Sequence, residues 1–303
     1  MELNTDFPLC ILCKGNPPGD PEHIIPEFIG GKLRARILCN QCNHYLGSSL
    51  ISKLPQDSSF WLAVQYLQND IPGIYKSFDK KSQYKGISPD GSQVPIIKKD
   101  GDYLILPSKK DGVLELDNKN AISLIKKGLN RKGYDQSLID QLVQLYKDLN
   151  EGEYLDLPNG YRFEKVPILE IKKEMPIGLI HDSFWVLLGF EFLSLFAGDA
   201  IYDSLFDHYR DFIVGNTSTA PLQIEHLQGG RKYQAIHVLI LEPEGTRVKI
   251  TMRIFRWITV RIWFDNIRYG GQETHYVEEL IKNKCAIALS LTDVKAGTWH
   301  ELR

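Results

Sequence analysis

Residues 9–50 read LCILCKGNPPGDPEHIIPEFIGGKLRARILCNQCNHYLGSSL and contain four of the five cysteines in the chain. Cys10 and Cys13 form one C-x-x-C pair, Cys39 and Cys42 form a second, and 25 residues separate the two pairs. Each pair can present two thiolates to the same ion, and zinc is commonly held by four cysteines in this way. The spacing therefore predicts a structural Zn²⁺ ion whose binding folds the segment.

Disulfides and a redox motif are the alternatives for these cysteines. The first ten residues, MELNTDFPLC, show no export signal, and the fifth cysteine, Cys285, lies far from the others. A secreted disulfide scaffold usually carries cysteines throughout its length, and a thioredoxin-like motif would explain only one pair. We therefore prefer the zinc interpretation, and we expect Cys285 to be a buried strand residue.

Composition limits the class of protein. The chain has 303 residues, 43% hydrophobic and 24% charged, with a formal net charge of -2. These values are typical of globular proteins and exclude a wholly disordered or fibrous chain. The near-neutral charge gives no support for nucleic-acid binding, so any basic surface must be local. The most apolar run, residues 184–197, is short and contains Glu191, so we expect it in a core and not in a membrane.

The hydrophobic patterns predict an α+β protein with one defensible boundary, near residue 55. Residues 1–54 form the cysteine-rich module, and residues 55–303 form a larger mixed domain. Helical spacing is predicted over residues 41–54, 57–70, 118–130, 136–150, 182–197 and 200–214. Strands and hairpins are predicted over residues 72–117, 154–166 and most of the last ninety residues.

Three further motifs lie around the cysteines, and together they carry a resemblance. Residues 22–31 read E-H-I-I-P-E-F-I-G-G, and Asn43 and Gly47 follow the last cysteine. In this order and spacing, the segment over about residues 9–50 resembles the four-cysteine branch of the HNH endonuclease family. The resemblance implies a ββα-metal (His-Me finger) module at the N-terminus. The larger domain that follows would serve substrate choice, dimerisation or control.

The resemblance also implies roles for individual residues. His23 would be the general base that takes a proton from water, because a neutral imidazole suits that role near pH 7. Glu22 and Asn43 would hold one divalent cation, Mg²⁺ or Mn²⁺, which prefer oxygen ligands. His44, one residue further, is a fallback ligand. Simpler interpretations stay open: His23 could only pack, Glu22 could orient His23, and Asn43 could cap a helix.

The chain departs from the family pattern at two positions. The family's middle asparagine is replaced by Arg34, and its last histidine is replaced by Asn43. A guanidinium group can bind a phosphate, and Arg34 and Arg36 lie two residues apart, so both can face the same side of a strand. Phosphate binding and simple solvation are both compatible with this pair.

A second basic pattern lies near the C-terminus. In residues 249–264 the odd positions include Lys249, Arg253, Trp257 and Arg261. Such a face could contact nucleic acid. Alternatively, a turn near Arg256 would split the run, and the side chains would serve cross-strand packing.

The sequence thus predicts a metal-dependent HNH endonuclease that hydrolyses phosphodiester bonds of DNA, double-stranded in preference to single-stranded. We expect a cytoplasmic protein with no membrane partner, a homodimer where both strands are cut, and a role as a bacterial antiviral defence effector. The alternative is a catalytically inactive zinc-binding module that recognises nucleic acid, motivated by the missing middle asparagine.

Overall fold

The computed structural model describes residues 6–81, 84–87, 91, 93–99, 102–105, 108–110, 113–116, 118–158, 160–165, 170–173, 180–227, 232–267, 271–288 and 290–302. The chain divides into two compact units, which are described separately below. The first combines residues 1–78 with residues 176–303, and the second is residues 79–175. The predicted boundary near residue 55 concerns the extent of the zinc module, and it stays a prediction.

Eight α-helices lie in the described parts of the chain. They are α1 (Asn40–Ser49), α2 (Ser58–Tyr66), α3 (Pro72–Lys81), α4 (Asn118–Arg131), α5 (Gln136–Asp148), α6 (Asp182–Ala197), α7 (Asp207–Ile213) and α8 (Leu291–Ala296).

Seventeen short strands accompany them in the same residues. They are β1 (Glu22–His23), β2 (Arg34–Ala35), β3 (Tyr84–Ile87), β4 (Gln93–Lys99), β5 (Asp102–Ile105), β6 (Ser108–Lys110), β7 (Val113–Leu116), β8 (Tyr154–Asp156), β9 (Arg162–Lys165), β10 (Glu170–Lys173), β11 (Gln223–Leu227), β12 (Ile236–Glu244), β13 (Arg247–Ile254), β14 (Ile258–Phe264), β15 (Thr274–Glu279), β16 (Lys284–Ala288) and β17 (His300–Leu302). The α+β prediction is confirmed.

A seven-stranded antiparallel sheet forms the centre of the first unit, with the strand order β11-β14-β13-β12-β15-β16-β17. Its strands alternate apolar and polar residues, and Ile250, Met252 and Ile254 are fully buried. This alternation is expected where one sheet face packs on a core. Cys285 is buried in β16, as predicted.

Helix α6 packs against this sheet. Gly189 permits the close approach, because a Cβ atom at that position would lie 2.2 Å from Cδ1 of Ile262. The rings of Phe190 and Phe264 pack in a tilted arrangement, with centroids 6.4 Å apart. Buried residues lie on every side of α6, which explains why the helix lacks an amphipathic pattern.

The helical segment Asp182–Tyr202 is long and apolar enough to cross a membrane by length and composition alone. The prediction that this run is too short was therefore wrong on length, because 3-10 turns extend α6 beyond residue 197. However, 72% of its most apolar window is buried inside the protein. Packing within the first unit accounts for the apolar composition.

Two four-stranded sheets and a helical pair form the second unit. One sheet has the order β10-β3-β4-β5, and the other has the order β6-β7-β9-β8 with β7 and β9 parallel. Helices α4 and α5 bury Ile125, Leu129, Ile139 and Tyr146 in a separate core. Both helices were predicted. The predicted hairpin region, in contrast, begins with helix α3.

The predicted basic and aromatic face of residues 249–264 is not continuous. Phe255 and Arg256 have positive φ angles of 52° and 54° and form the turn between β13 and β14. Phe255 is buried, and Lys249 pairs with Glu242 and Glu244 at 3.1 and 2.6 Å. These contacts support the cross-strand packing interpretation.

Candidate functional site

The four N-terminal cysteines converge to one point. Cys39 is the N-cap residue of α1, and Cys42 lies in its first turn. Cys10 and Cys13 lie on the loop before β1. Their sulfur atoms all lie within 4.8 Å of one another, and Sγ of Cys13 is 3.8 Å from Sγ of Cys39. A tetrahedral site with Zn–S bonds of about 2.3 Å has S···S distances of about 3.8 Å. The donor set and its spacing therefore suit a structural zinc ion.

The environment of Cys13 favours its ionised form. Burial opposes ionisation of this thiol, but hydrogen bonds from the backbone at Gly15 and Asn16 outweigh it and lower the Cys13 pKa to about 7. Thiolates, not thiols, are the ligands of zinc. Burial raises the pKa of the Cys10 thiol on the same loop, so Cys13 is the cysteine of this pair that ionises first.

A short antiparallel ribbon positions the acid–histidine pair. In β1 and β2, Glu22 pairs with Ala35 and His23 pairs with Arg34. The glycine pair allows the connection between the strands, because a Cβ atom on Gly31 would lie 1.6 Å from the carbonyl oxygen of Ile25. The two-strand ribbon followed by α1 is the ββα arrangement predicted from the motifs.

The register of the ribbon places a guanidinium group beside the histidine. Nε of Arg34 donates a hydrogen bond to Nε2 of His23 at 2.8 Å, so this nitrogen carries no proton. Burial is the main cause of the lowered pKa of His23, and the positive charge of Arg34 adds to it. The imidazole is therefore neutral near pH 7, with its Nε2 lone pair occupied by Arg34.

Helix α1 connects Glu22 to the zinc module. Nδ2 of Asn43 donates a hydrogen bond to Oε2 of Glu22. Burial raises the pKa of Glu22, and the bond from Asn43 opposes this effect. Asn43 lies within the first turn of α1, which begins after the N-cap residue Cys39. The capping interpretation of Asn43 is therefore wrong.

One pocket brings the three predicted residues together. Glu22, His23 and Asn43 line it with a fourth polar residue, Glu191 of α6. The remaining lining residues are apolar: Ile24, Pro26, Leu38, Leu46, Ile51, Phe184, Leu187 and Leu188. Burial raises the pKa of Glu191 well above its ordinary value, and the nearby charge of Glu22 adds to the effect.

These observations agree with a comparison against known families. Residues 10–58 match the HNH endonuclease family. The match covers about one sixth of the chain and confirms the resemblance inferred from the motifs. Neither the curated proteins nor the solved structures compared with the chain gave a match.

Two predicted residues of the HNH segment lie away from the pocket. His44 is exposed on α1 and is not among the residues that line the pocket. Arg36 is exposed, and its guanidinium lies 3.4 Å from the carbonyl oxygen of Gly19. Exposure alternates along the strand, so Arg34 and Arg36 do share the solvent face on either side of buried Ala35.

Two residues of the seven-stranded sheet hold the loop between β1 and β2, and the sequence analysis did not predict them. Oε1 of Glu278 accepts hydrogen bonds from the backbone N–H groups of Lys32 and Leu33 at 2.8 and 3.2 Å, and from the Tyr276 hydroxyl. Nε2 of His237 lies 2.9 Å from the carbonyl oxygen of Ile29. We call Glu278 and His237 the rear anchor. Both are fully buried.

A third missed residue supports the first cysteine pair. Arg210 of α7 is buried, and its Nε donates to the carbonyl oxygen of Ile11 at 2.7 Å. Asp207 bridges Arg210 and Lys14, with 2.6 Å to each cation. The cysteine loop is thus fixed by residues almost 200 positions later in the chain.

Proposed function

We propose that this protein is a metal-dependent HNH endonuclease that hydrolyses DNA, with His23 as the general base. One observation carries the proposal: Glu22, His23 and Asn43 line a single pocket next to the four-cysteine cluster. HNH endonucleases act on nucleic acid, and the match with that family supports a phosphodiester substrate.

His23 supplies the base. Its depressed pKa keeps the imidazole neutral and able to take a proton from the attacking water. In the free protein, Arg34 occupies Nε2 of that ring. Arg34 is more than half exposed and pairs only distantly with Glu27, at 3.8 Å. A phosphate group would attract the guanidinium away from His23 and leave the lone pair of Nε2 free.

Glu22 and Asn43 are the residues that would hold the divalent cation. The Glu22 carboxylate and the Asn43 amide oxygen are hard donors of the kind that Mg²⁺ and Mn²⁺ prefer. For both oxygens to face a cation, the Asn43 amide must turn from its present bond to Glu22. When bound, such a cation stabilises the negative charge that develops on the phosphate and the leaving oxygen.

Zinc has a different role. The cysteine cluster is joined to the site through α1, whose N-cap residue is Cys39 and whose first turn carries Cys42 and Asn43. Zinc held by the four thiolates would fix the start of this helix, and thereby the position of Asn43 opposite Glu22.

The surface charge defines how DNA would be bound. With a net charge of -2, the protein must rely on local cations, and Arg34 and Arg36 share one solvent face around β2, where Arg34 bonds to His23. Binding would therefore weaken steeply with salt. We propose double-stranded DNA as the substrate, and a homodimer where both strands are cut. A cytoplasmic defence effector is the biological role we propose.

Plasmid nicking tests the activity. Wild-type protein should convert supercoiled plasmid to the nicked form in Mg²⁺ or Mn²⁺, and His23→Ala should lower the rate by about 10²–10⁴-fold. His44→Ala is the matched control, because it removes an exposed histidine outside the pocket and should retain the wild-type rate. Equal rates for wild type and His23→Ala would contradict the proposal.

A non-cleaving nucleic-acid-binding protein is the second candidate. Two hydrogen bonds favour it, because they occupy groups that catalysis would use. Arg34 donates to Nε2 of His23, and Asn43 donates to the carboxylate of Glu22. DNA binding in an electrophoretic shift assay, with intact plasmid in every divalent metal, would select this candidate.

A further inference from the structure

A single carboxyl group interrupts the apolar middle of α6. Glu191 is 3% exposed, and its helical neighbours Phe190 and Phe192 are fully buried. Burying an ionised carboxylate in such surroundings is strongly unfavourable unless a partner compensates. A side chain of this kind therefore requires a specific explanation.

Glu191 differs from other buried titratable side chains in the described residues. Arg210, Glu278 and His237 each form hydrogen bonds to neighbouring groups. Within that same part of the chain, the Glu191 carboxyl has no hydrogen-bond or ion-pair partner. The bond at this residue is made by its main-chain carbonyl, which accepts from the Ser194 hydroxyl.

The location of Glu191 supplies the explanation. It lines the same pocket as Glu22, His23 and Asn43, and the charge of Glu22 acts on it. None of the described residues lining this pocket is lysine or arginine. The free space accommodates about one water-sized sphere, too little for an organic ligand. A pocket with two carboxyl groups, an amide and space for a single ion suits a divalent cation.

We propose that Glu191 is a third protein ligand of the divalent cation held by Glu22 and Asn43, supplied by α6 from outside the HNH segment. The inference rests on the proposed function, because it assigns a further residue to the same site. Two carboxylates would balance the charge of the cation, and a third protein ligand would compensate for an asparagine in place of the family's last histidine. A cation there would also compensate the burial of Glu191.

Binding of Mn²⁺ to the full-length, zinc-loaded protein tests this inference without DNA. Electron paramagnetic resonance of free Mn²⁺ gives the dissociation constant for each variant. Glu191→Gln and Glu22→Gln should each weaken binding at least about tenfold, with the zinc content unchanged. Glu27→Gln is the matched control, because it removes the charge of an exposed glutamate near the site, and it should bind Mn²⁺ like wild type.

A second variant separates a ligand from a structural residue. Glu191→Leu keeps the size of the side chain close to the original and continues the apolar pattern of α6. It should fold and lose Mn²⁺ binding to the same extent as Glu191→Gln. Because Mn²⁺ binding stabilises only a folded protein that has the site, the rise in melting temperature on adding Mn²⁺ should also disappear in both variants.

The outcomes distinguish this inference from the proposed function. If Glu22→Gln loses Mn²⁺ but both Glu191 variants retain wild-type affinity, the inference is wrong and the nuclease proposal stands. If all three variants lose Mn²⁺ while wild type fails to cut DNA, Glu191 is a ligand and the nuclease proposal is wrong. If wild type cuts DNA and binds Mn²⁺ with no dependence on Glu191, the inference is overturned.

Discussion

Two buried glutamates contact different parts of the ββα module, and they differ in their partners. Glu278, in the rear anchor, accepts three hydrogen bonds on one oxygen, two of them from the loop between β1 and β2. Glu191, in the pocket, has no such bond to its carboxyl group among the described residues. The three bonds to Oε1 of Glu278 serve the fold, although Oε2 of the same carboxyl is buried without a hydrogen-bond partner among the described residues. The carboxyl group of Glu191 faces a pocket and is available to a ligand.

Loss of the zinc site is the largest expected effect, because it would disrupt the module that both glutamates contact. Cys39→Ala should abolish zinc binding and unfold the cysteine module, because apparent zinc-binding free energies of such sites are about 10–16 kcal/mol. Zinc analysis together with hydrogen exchange over residues 6–54 measures this. Cys285→Ala, which changes the cysteine outside the cluster, should keep the metal. Retention of zinc by Cys39→Ala would contradict the four-thiolate site.

The same substitution at the two glutamates tests whether their different partners give them different effects on stability. Glu278→Leu leaves the N–H groups of Lys32 and Leu33 without an acceptor, so it should lower the free energy of unfolding by about 1–3 kcal/mol or more. Glu191→Leu removes an unpartnered buried carboxyl, so in metal-free buffer it should be no less stable than wild type. Urea denaturation measures both. Equal destabilisation by the two substitutions would show that the distinction is wrong.

His237, the second residue of the rear anchor, should make the free energy of unfolding depend on pH. His237 is buried, which lowers its pKa to about 4, while the bond to Ile29 opposes the shift. Its Nδ1 accepts from the backbone N–H of Phe255 at 3.1 Å, and protonation would break that bond.

The folded-state pKa of His237 lies below its ordinary value near 6.5, so the unfolded chain binds the proton first. Stability from this group is complete above about pH 6.5 and decreases toward pH 4, by at most about 1.4 kcal/mol per pH unit. Urea denaturation at pH 7, 6 and 5 should show this loss, and His237→Gln should reduce the slope. The exposed His300 provides the control, since His300→Gln should keep the wild-type slope. An unchanged slope in His237→Gln would contradict the assignment.

The smallest effect concerns the solvent face that Arg34 and Arg36 share around β2. Arg34→Ala and Arg36→Ala should each weaken DNA binding and reduce the slope of log K against log salt by about one. Fluorescence anisotropy over a salt series measures the slope. Arg131→Ala, at the end of α4 in the second unit, should leave it unchanged. If the slopes of all three variants equal that of wild type, DNA is not bound through this face.

The parts of the site that are local in sequence could be predicted, and the parts supplied from a distance could not. The cysteine spacing, the Glu22–His23 pair and Asn43 lie within one short segment, where motif spacing carries the geometry. Glu191 belongs to α6, whose burial was predicted from its apolar residues. The acidic residue itself was a usable signal, because an unexplained charge in a buried helix indicates a compensating group nearby.

The rear anchor gave no such signal. Glu278 and His237 alternate with apolar residues on antiparallel strands, where a polar side chain normally faces solvent. In the structure both lie on the buried face of their strands and bond to the loop between β1 and β2. Helix α3 was missed for a local reason: its first residues are Pro72 and Gly73, which indicate a turn, although proline is also favoured at the first helical position.

The first unit is assembled from two segments that the ribosome makes at different times. After Asn43 has been added, about 150 more residues must be synthesised before Glu191 exists, and the strands carrying His237 and Glu278 come later still. At about 5–20 residues per second, this delay lasts many seconds. A nascent chain thus exposes its four clustered cysteines long before α6 can complete the pocket. A prematurely terminated product would therefore carry the motif without a complete site.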